Sequence, residues 1–283
     1  MSVVISDAFA LAPGDVPLNT PIFGWQTIVP DHATIEATTA ADDYPVSNLT
    51  NPSTALRWTA APGSPPTDEY LTIAVDPAYS DPVDYLAIAV HNLGTGQNTV
   101  SVEASDGASP ETWDELVAES IPANDDPIIF RWEPASYAGI RLRIQPSPLA
   151  SPTTPFVAVL YVGKLLVMPR GLSGDSHTPI TLARQKRHLN NRGETGNFLG
   201  RYLLSQTRTT SYPFQFLDEA WYRATMDPFI DAVSDETPFF AAWKPQEFPA
   251  DVGYCWLTGD AEPQWHRPTG TMGVTIQVAG VAV

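Results

Sequence analysis

The fold is decided by residues 84–113, which read DYLAIAVHNLGTGQNTVSVEASDGASPETW. The first apolar run, residues 85–90, has almost no polar residue, which is typical of a central strand buried on both faces. In the second run, residues 99–104, apolar and polar residues alternate, which predicts a half-buried strand. The Gly- and Asn-rich residues between the runs predict a turn. No residue of the stretch is an obvious catalyst.

The composition of the whole chain favours an ordered all-β protein. Among 283 residues, 28 are proline and 18 are glycine. Proline is excluded from helix interiors and central strands, so this content predicts many short elements joined by fixed loops. Further apolar runs lie at residues 69–75, 128–132, 140–144 and 156–162. About eight strands separated by turns are typical of a β-sandwich or jelly roll.

Charge is divided unequally along the chain. Residues 1–163 hold 20 acidic and 4 basic side chains, a net of −16, out of −17 for the whole chain. This acidic half predicts repulsion of nucleic acid and of anionic membranes. Residues 164–210 hold 8 basic and 2 acidic side chains, a net of +6. That excess predicts either an ordinary solvated surface or contact with an acidic partner, including a second copy of the chain.

Cysteine use and the N-terminal residues indicate where the protein is made. Cys255 is the only cysteine, so no intrachain disulfide forms, and we expect it to be buried and inert. The first residues, MSVVISDAFALAPGD, lack the basic region and long apolar core of a signal peptide. No apolar run has the length needed to span a bilayer. We therefore expect folding in a cytosol and no membrane insertion.

A series of short motifs runs through residues 34–163. In order, they are residues 37–40 (ATTA), Pro45 with Asn48-Leu49 and Trp58, residues 71–75, 83–92 ending in His-Asn, Ser105-Asp106-Gly107 with Trp113, residues 141–144 and residues 157–163. In this order and spacing they resemble the discoidin, or coagulation-factor type C, family of galactose-binding-like jelly rolls. The chain departs from that family in lacking its cysteine pair and the apolar spikes of its membrane-binding members. The resemblance therefore implies a jelly roll without a lipid role.

The second half of the chain carries a different set of motifs. They are residues 238–245 (PFFAAWKP), Tyr254-Cys255-Trp256, and residues 273–278 followed by Ala279-Gly280-Val281. They resemble the small β domains of tail-tip proteins of long-tailed bacteriophages, such as the distal tail protein. The two resemblances imply three parts: an N-terminal arm (1–33), a discoidin-like jelly roll (34–163) and a smaller β-rich tail-assembly domain (164–283).

Local signals divide these parts further. Prolines break the apolar runs of residues 1–33, which predicts an arm that packs on another domain or subunit, or adds a strand to its own domain. Glycines within residues 171–197 predict irregular structure. Strands are predicted at residues 198–204, 208–216, 252–258 and 273–278. One short helix is predicted at residues 218–233, starting near Asp218 and either kinked or restarted at Pro228.

The motifs of common catalytic centres are missing from the sequence. The five histidines form no zinc pattern, and there is no nucleophile elbow, phosphate-binding loop or dinucleotide fingerprint. The many carboxylates fit an acidic surface better than a glycosidase pair. The aspartates at positions 42, 43, 106, 125 and 126 offer oxygen ligands for calcium, but no calcium loop surrounds them. We expect no enzymatic activity, no cofactor and no metal ion.

A glycan site needs aromatic faces for sugar rings and planar polar groups for hydroxyls. Five residues near predicted loop ends meet this need: Tyr44, Arg57, Trp58, Trp113 and Tyr137. For the two tryptophans the alternative is a place in the sandwich core, where large aromatic side chains usually lie. His91 and Asn92 end a predicted strand, and we expect them to brace its turn.

The leading hypothesis is a structural component of a phage tail tip or baseplate. On this hypothesis the protein forms a homo-oligomeric ring, binds other tail proteins such as the tail tube and hub, and is assembled in the host cytoplasm into the virion. The interface candidates are Arg184, Lys186, Arg187, Phe239, Phe240 and Trp243. The jelly roll then contacts either a host-surface glycan or a neighbouring tail component. The alternative is a free carbohydrate-binding protein or the accessory module of a polysaccharide-active enzyme.

Overall fold

The first half of the chain folds into two five-stranded sheets packed face to face. The computed structural model describes residues 3–11, 17–62, 67–107, 112–149, 153–174, 177–266 and 269–281. Numbered in chain order, the strands of the first sheet lie in the order β1 (Val3–Ile5), β9 (Ile128–Ala135), β6 (Val83–His91), β11 (Phe156–Gly163) and β4 (Trp58–Thr59). Those of the second lie in the order β3 (Ala33–Ala37), β5 (Glu69–Val75), β10 (Gly139–Ile144), β7 (Val100–Ser105) and β8 (Asp114–Ser120). A 3-10 turn, Val46–Thr50, precedes β4.

The second half forms a third sheet covered by a short helix. Its strands lie in the order β12 (Leu166–Val167), β2 (Ile22–Gly24), β15 (Phe239–Ala242), β16 (Val252–Leu257), β18 (Thr271–Val281), β14 (Phe198–Asp218) and β13 (Gln185–Arg192), while β17 (Gln264–His266) also pairs with β18. The helix begins as α1 (Glu219–Trp221), passes through a π turn (Tyr222–Met226) and continues as α2 (Asp227–Asp235). The fold is therefore all-β with one short helical segment, as the sequence predicts.

The predicted helix start is confirmed in detail. The Asp218 carboxylate accepts a hydrogen bond from the Trp221 backbone N–H at 2.9 Å, which satisfies one of the free donors of the first turn. Pro228 lies in the first turn of α2, directly after the π turn, so the hydrogen-bond pattern of the helix changes where proline supplies no N–H. Among the described residues, no helix is long and apolar enough to cross a membrane.

Strand β6 is buried on both faces, as its apolar run predicts. Leu86 and Ile88 point into the core between the two jelly-roll sheets. Tyr85, Ala87 and Ala89 point to the other side, into a second apolar cluster that includes side chains of the third sheet. The jelly roll and the third sheet therefore share one continuous apolar interface.

The N-terminal segment is divided between the two halves of the molecule. β1 lies parallel to β9 and extends the first jelly-roll sheet, whereas β2 pairs with β15 and β12 in the third sheet. Close to this point the Tyr85 hydroxyl donates to the Gln26 carbonyl. A Cβ on Gly24 would lie 2.7 Å from the Tyr85 ring, so only glycine allows β2 to pass this close.

Cys255 occupies the core beneath the third sheet. It is fully buried, and burial raises the pKa of its thiol to about 12. A thiol with so high a pKa stays protonated at neutral pH and is a poor nucleophile. The prediction of a buried cysteine is confirmed.

Candidate functional site

Trp58 anchors the loop end of the jelly roll from inside. Its ring is 0% exposed, and its indole N–H donates to the Thr39 carbonyl at 2.8 Å. A ring without exposed surface is not available for stacking on a sugar, so Trp58 is withdrawn as a glycan-binding candidate. Consecutive side chains of an extended chain point to opposite sides, so the inward Trp58 turns its neighbour Arg57 outward.

Arg57 is clamped between two aromatic rings at this end. Its guanidinium carbon lies 4.8 Å from the centroid of the Tyr44 ring and 4.5 Å from that of Phe156. The Asn48 amide donates to the Arg57 carbonyl at 2.8 Å, which fixes the backbone of this residue. The Tyr44 side chain remains 38% exposed, so part of its ring is open to a ligand.

Phe156, the second ring beside Arg57, is not among the site residues that the sequence predicts. It lies at the start of β11, and its N–H donates to the side-chain oxygen of Asn92 at 2.8 Å. The Asn92 amide also donates to the Thr154 carbonyl at 2.8 Å. The only sequence signal for Phe156 is its position at the head of an apolar run, and that signal indicates a strand rather than a site.

His91 braces the neighbouring loop, as predicted. One ring nitrogen, Nε2, lies 2.9 Å from the Asp126 carbonyl, and the other, Nδ1, accepts from the Leu93 N–H at 3.3 Å. The ring is therefore the neutral tautomer with its proton on Nε2. Burial lowers the pKa of His91 to about 4, against the opposing effects of the Asp126 carbonyl and the Asp125 charge. The ring stays neutral at physiological pH and holds the loop.

Arg57 differs from the other basic residues of the acidic half. That half has four of them. Arg141 pairs with Glu103 at 2.6 Å, Arg143 pairs with Asp68 at 2.6 Å, and Arg131 is buried. Arg57 has no acidic partner and donates no side-chain hydrogen bond within the described ranges of the chain. Arg57 is half-buried, and the two rings hold the plane of its guanidinium in place.

The other two glycan candidates do not join this group. Trp113 lies over Arg141 on the outer face of the second sheet, with 4.2 Å between the guanidinium carbon and the ring centroid. Tyr70 contacts the same guanidinium at 4.2 Å. Tyr137 packs against the jelly-roll core just before β10, where β5 and β7 end. The structure thus brings Tyr44 and Arg57 together and leaves Trp113 and Tyr137 elsewhere.

The interface candidates divide into exposed and buried side chains. Arg184, Lys186 and Arg187 are exposed at the start of the β13–β14 hairpin. Phe239 and Phe240 are 0% exposed, because β15 lies in the interior of the third sheet with apolar clusters on both sides. These two phenylalanines are therefore corrected from interface to core.

Trp243 is only half-buried. Its ring stacks on that of Phe248 with 5.2 Å between the centroids, and its indole N–H donates to Asp251 at 3.0 Å. These contacts lie within the chain.

Acidic side chains do not gather into a metal centre in the part of the chain that the structure describes. No group of three His, Cys, Asp or Glu side chains is arranged to hold a metal ion there. The Asp125 carboxylate instead accepts from the Thr95 N–H at 2.9 Å. An open groove on the third sheet is lined in part by Asp260, Glu262 and His266, and it lies away from Arg57, on another sheet.

No family model matches this chain, and no curated protein matches it. Solved structures do match. Chitosan-binding module 1 of a chitosanase/glucanase from Paenibacillus sp. IK-5 is 12% identical, with a TM-score of 0.40, over 48% of this chain and 98% of the module. The module CpGH89CBM32-5 of Clostridium perfringens, in complex with GalNAc-β-1,3-galactose, is 10% identical, with a TM-score of 0.39, over 49% of this chain and 99% of its own.

A pectin-binding carbohydrate-binding module gives a similar result, with 10% identity, a TM-score of 0.35, and coverage of 49% of this chain and 91% of the module. At these identities the likeness concerns the fold alone. Each match covers about half of this chain. The tail-tip resemblance of the second half stays a prediction.

Proposed function

We propose that the jelly roll binds a saccharide at its loop end, through Arg57 and Tyr44. The observation that carries the proposal is the Arg57 guanidinium, which two rings hold in place while its donors have no acidic partner in the described part of the chain. A planar fork of N–H donors suits two adjacent hydroxyl oxygens. The open part of the Tyr44 ring suits the apolar face of a sugar.

The surrounding charge selects among saccharides. With a net of −16 over residues 1–163, this half repels a polyanionic glycan at long range. We therefore propose a neutral, hydroxyl-rich saccharide. One arginine and one aromatic ring supply no acid–base pair, so the proposed role is binding without catalysis.

Isothermal titration calorimetry, guided by a glycan array, tests this proposal. Tyr44→Ala removes the stacking ring, and Arg57→Lys keeps the charge but loses the planar fork. Each is expected to weaken binding of the best neutral glycan about tenfold, or by about 1.4 kcal/mol. Trp265→Ala removes an exposed aromatic ring from the second half of the chain, outside the β13–β14 hairpin, and serves as the matched control.

Two results would contradict the proposal. One is the absence of binding to every neutral glycan on the array by the folded protein. The other is binding that Tyr44→Ala and Arg57→Lys leave unchanged, because the sugar would then lie at another surface. A reducing-sugar assay on the bound polysaccharide separates binding from hydrolysis.

A second candidate function is assembly into a phage tail tip, and a separate observation favours it. β13 and the first half of β14 form a hairpin that extends beyond the rest of the third sheet, and its large apolar side chains are exposed. Such exposure suits an assembling protein better than a free monomer. In this case the protein forms a homo-oligomeric ring in the virion, assembled in the host cytoplasm with tail tube and hub proteins. Electron microscopy of the purified protein tests it: a ring supports assembly, and a monomer at high concentration contradicts it.

A further inference from the structure

Residues 185–207 form a two-stranded hairpin that extends from the third sheet. β14 is 21 residues long, and its second half, from Arg208 on, pairs with β18. The first half pairs only with β13, which is an edge strand of the third sheet. A hairpin of two strands is marginally stable in water when it stands alone.

The hairpin exposes apolar surface that an isolated chain does not cover. Six of its large apolar side chains are at least half exposed: Leu189, Phe198, Leu199, Tyr202, Leu203 and Leu204. Nearly every residue of β13 is exposed as well. A concentration of exposed apolar side chains of this kind marks a contact surface.

The free edge of the hairpin is basic. β13 carries Lys186, Arg187 and Arg192, with Arg201 on the adjoining strand and Glu194 as the one acidic residue between positions 184 and 204. An unpaired strand edge offers backbone N–H and C=O groups to another strand. Its preferred partner is therefore an acidic edge strand of comparable length.

The jelly roll contains such an edge. β8 (DELVAES) is an edge strand of the second sheet, with Asp114, Glu115 and Glu119 exposed and no basic residue. It is seven residues long, and β13 is eight. The other edge strands that the structure describes are shorter: β1, β3, β4, β12 and β17 have between two and five residues.

Opposite charges also meet at one end of the two strands. An antiparallel register that sets Arg192 opposite Asp114 places the two side chains on the same face, where opposite charges stabilise the pairing. β8 has two register shifts against β7 between positions 115 and 120, so Asp114 and Glu119 are not evenly spaced along its edge. The register is therefore set by the Arg192–Asp114 pair.

We propose that β13 of one copy of this protein pairs with β8 of a second copy. The contact joins two different surfaces, so it is head-to-tail and generates a closed ring or an open filament. It gives the assembly candidate a defined interface. It is independent of saccharide binding at Arg57, and its test uses no glycan.

Two charge-reversed proteins test the pairing. The first, the hairpin variant, carries Arg187→Glu with Arg192→Glu. The second, the edge variant, carries Asp114→Lys with Glu115→Lys and leaves Glu119, which Arg143 contacts at 3.1 Å, in place. Arg170→Glu with Arg223→Glu is the control, because both arginines are exposed outside the hairpin. The association of each protein is measured by sedimentation velocity, and its fold by circular dichroism.

The wild-type and control proteins are expected to associate, and each reversed variant alone to associate at least about tenfold more weakly, because like charges then face each other. An equimolar mixture of the two variants is expected to recover association, because the unchanged β13 of the edge variant then meets the unchanged β8 of the hairpin variant. A monomeric wild type overturns the proposal. So does wild-type-like association of either reversed variant alone, which would place the contact elsewhere, or two folded variants whose mixture fails to associate.

Discussion

Strand β6 and residues 198–204 of β14 are both rich in apolar residues, yet they lie in opposite surroundings. Every residue of β6 except Val90 is buried, with apolar cores on both faces. Residues 198–204 are exposed except for the partly buried Gly200, and only β13 lies beside them. Apolar content by itself therefore does not say whether a strand belongs to a core. The two strands differ in whether other elements of the chain pack against their apolar side chains.

The comparison separates two uses of apolar side chains. In β6 they have already found their partners within the chain, and they hold the jelly roll to the third sheet. In the hairpin they remain available, which fits a contact between molecules. Substitutions in the two regions should therefore differ in what they damage: the stability of one chain or the association of several.

The largest expected effect comes from the jelly-roll core. Trp58→Ala removes a fully buried indole and its hydrogen bond to Thr39. Lost burial and the cavity left behind should lower the free energy of unfolding by about 4 kcal/mol. Urea unfolding followed by fluorescence measures it. A loss below about 1 kcal/mol, the size expected of an ordinary point substitution, would mean that Trp58 is not the core anchor described above.

The two ends of β6 carry buried ionisable groups whose effects on stability oppose each other. At one end, the pKa of His91 is lowered to about 4, so the folded protein resists protonation that the unfolded chain accepts below about 6.5. Stability from His91 is thus present above about 6.5 and is lost as the pH falls to about 4. His91→Gln should abolish this loss of about 3 kcal/mol.

The measurement is the difference in unfolding free energy between His91→Gln and the wild type, followed from pH 7 down to pH 4. Glutamine keeps an amide that can serve as a donor toward the Asp126 carbonyl, so any constant offset is separate from the slope. The difference should move in favour of the variant as the pH falls. A flat difference would show that the His91 pKa is ordinary.

At the other end, burial raises the pKa of Asp84 to about 6, although the Leu165 N–H and the charges of Arg131 and Lys164 act in the opposite direction. The folded protein then binds a proton that the unfolded chain has released above about 3.9. The stability that Asp84 contributes is fully present below about pH 3.9 and is lost as the pH rises through about 6.

Asp84→Asn should therefore gain about 3 kcal/mol relative to the wild type between pH 4 and pH 6, opposite in sign to the slope from His91. The asparagine side-chain oxygen can still accept from the Leu165 N–H, which Asp84 now accepts at 2.7 Å. The same urea series measures it. If the stability of Asp84→Asn relative to the wild type fell as the pH rose, the pKa of Asp84 would be lowered in the folded protein and not raised.

Strand alternation explains how much of the fold could be predicted. The run at residues 69–75 matches β5 residue for residue, and the run at 85–90 lies inside β6, because burial imposes an apolar pattern on such strands. The sequence predicts irregular structure over residues 171–197, which include β13. Its sequence, QKRHLNNR, is exposed on both faces, so no periodic pattern is required of it. The same reason conceals β8, whose residues are mostly exposed.

The site could be predicted only in part, for a different reason. Tyr44 and Arg57 lie near one another in the sequence, and both have the chemistry of a sugar-binding surface. Phe156, on the other side of Arg57, is nearly a hundred positions further along the chain and reaches it only because β11 pairs with β4. Contacts made through strand pairing between distant segments leave no local pattern. The sequence likewise cannot say which tryptophans are buried.

The smallest effect on stability is expected in the hairpin. A substitution there tests whether its apolar side chains, unlike those of β6, contribute little to the stability of the single chain. Tyr202 is 64% exposed, so Tyr202→Ser should change the unfolding free energy of the single chain by less than about 0.5 kcal/mol. The same substitution should weaken association, because it removes an aromatic ring from the proposed contact surface. Urea unfolding at low protein concentration and sedimentation velocity at high concentration separate the two quantities. If Tyr202→Ser destabilised the isolated chain by as much as Trp58→Ala, the hairpin would be part of the core in solution, and its exposed side chains would need no second molecule.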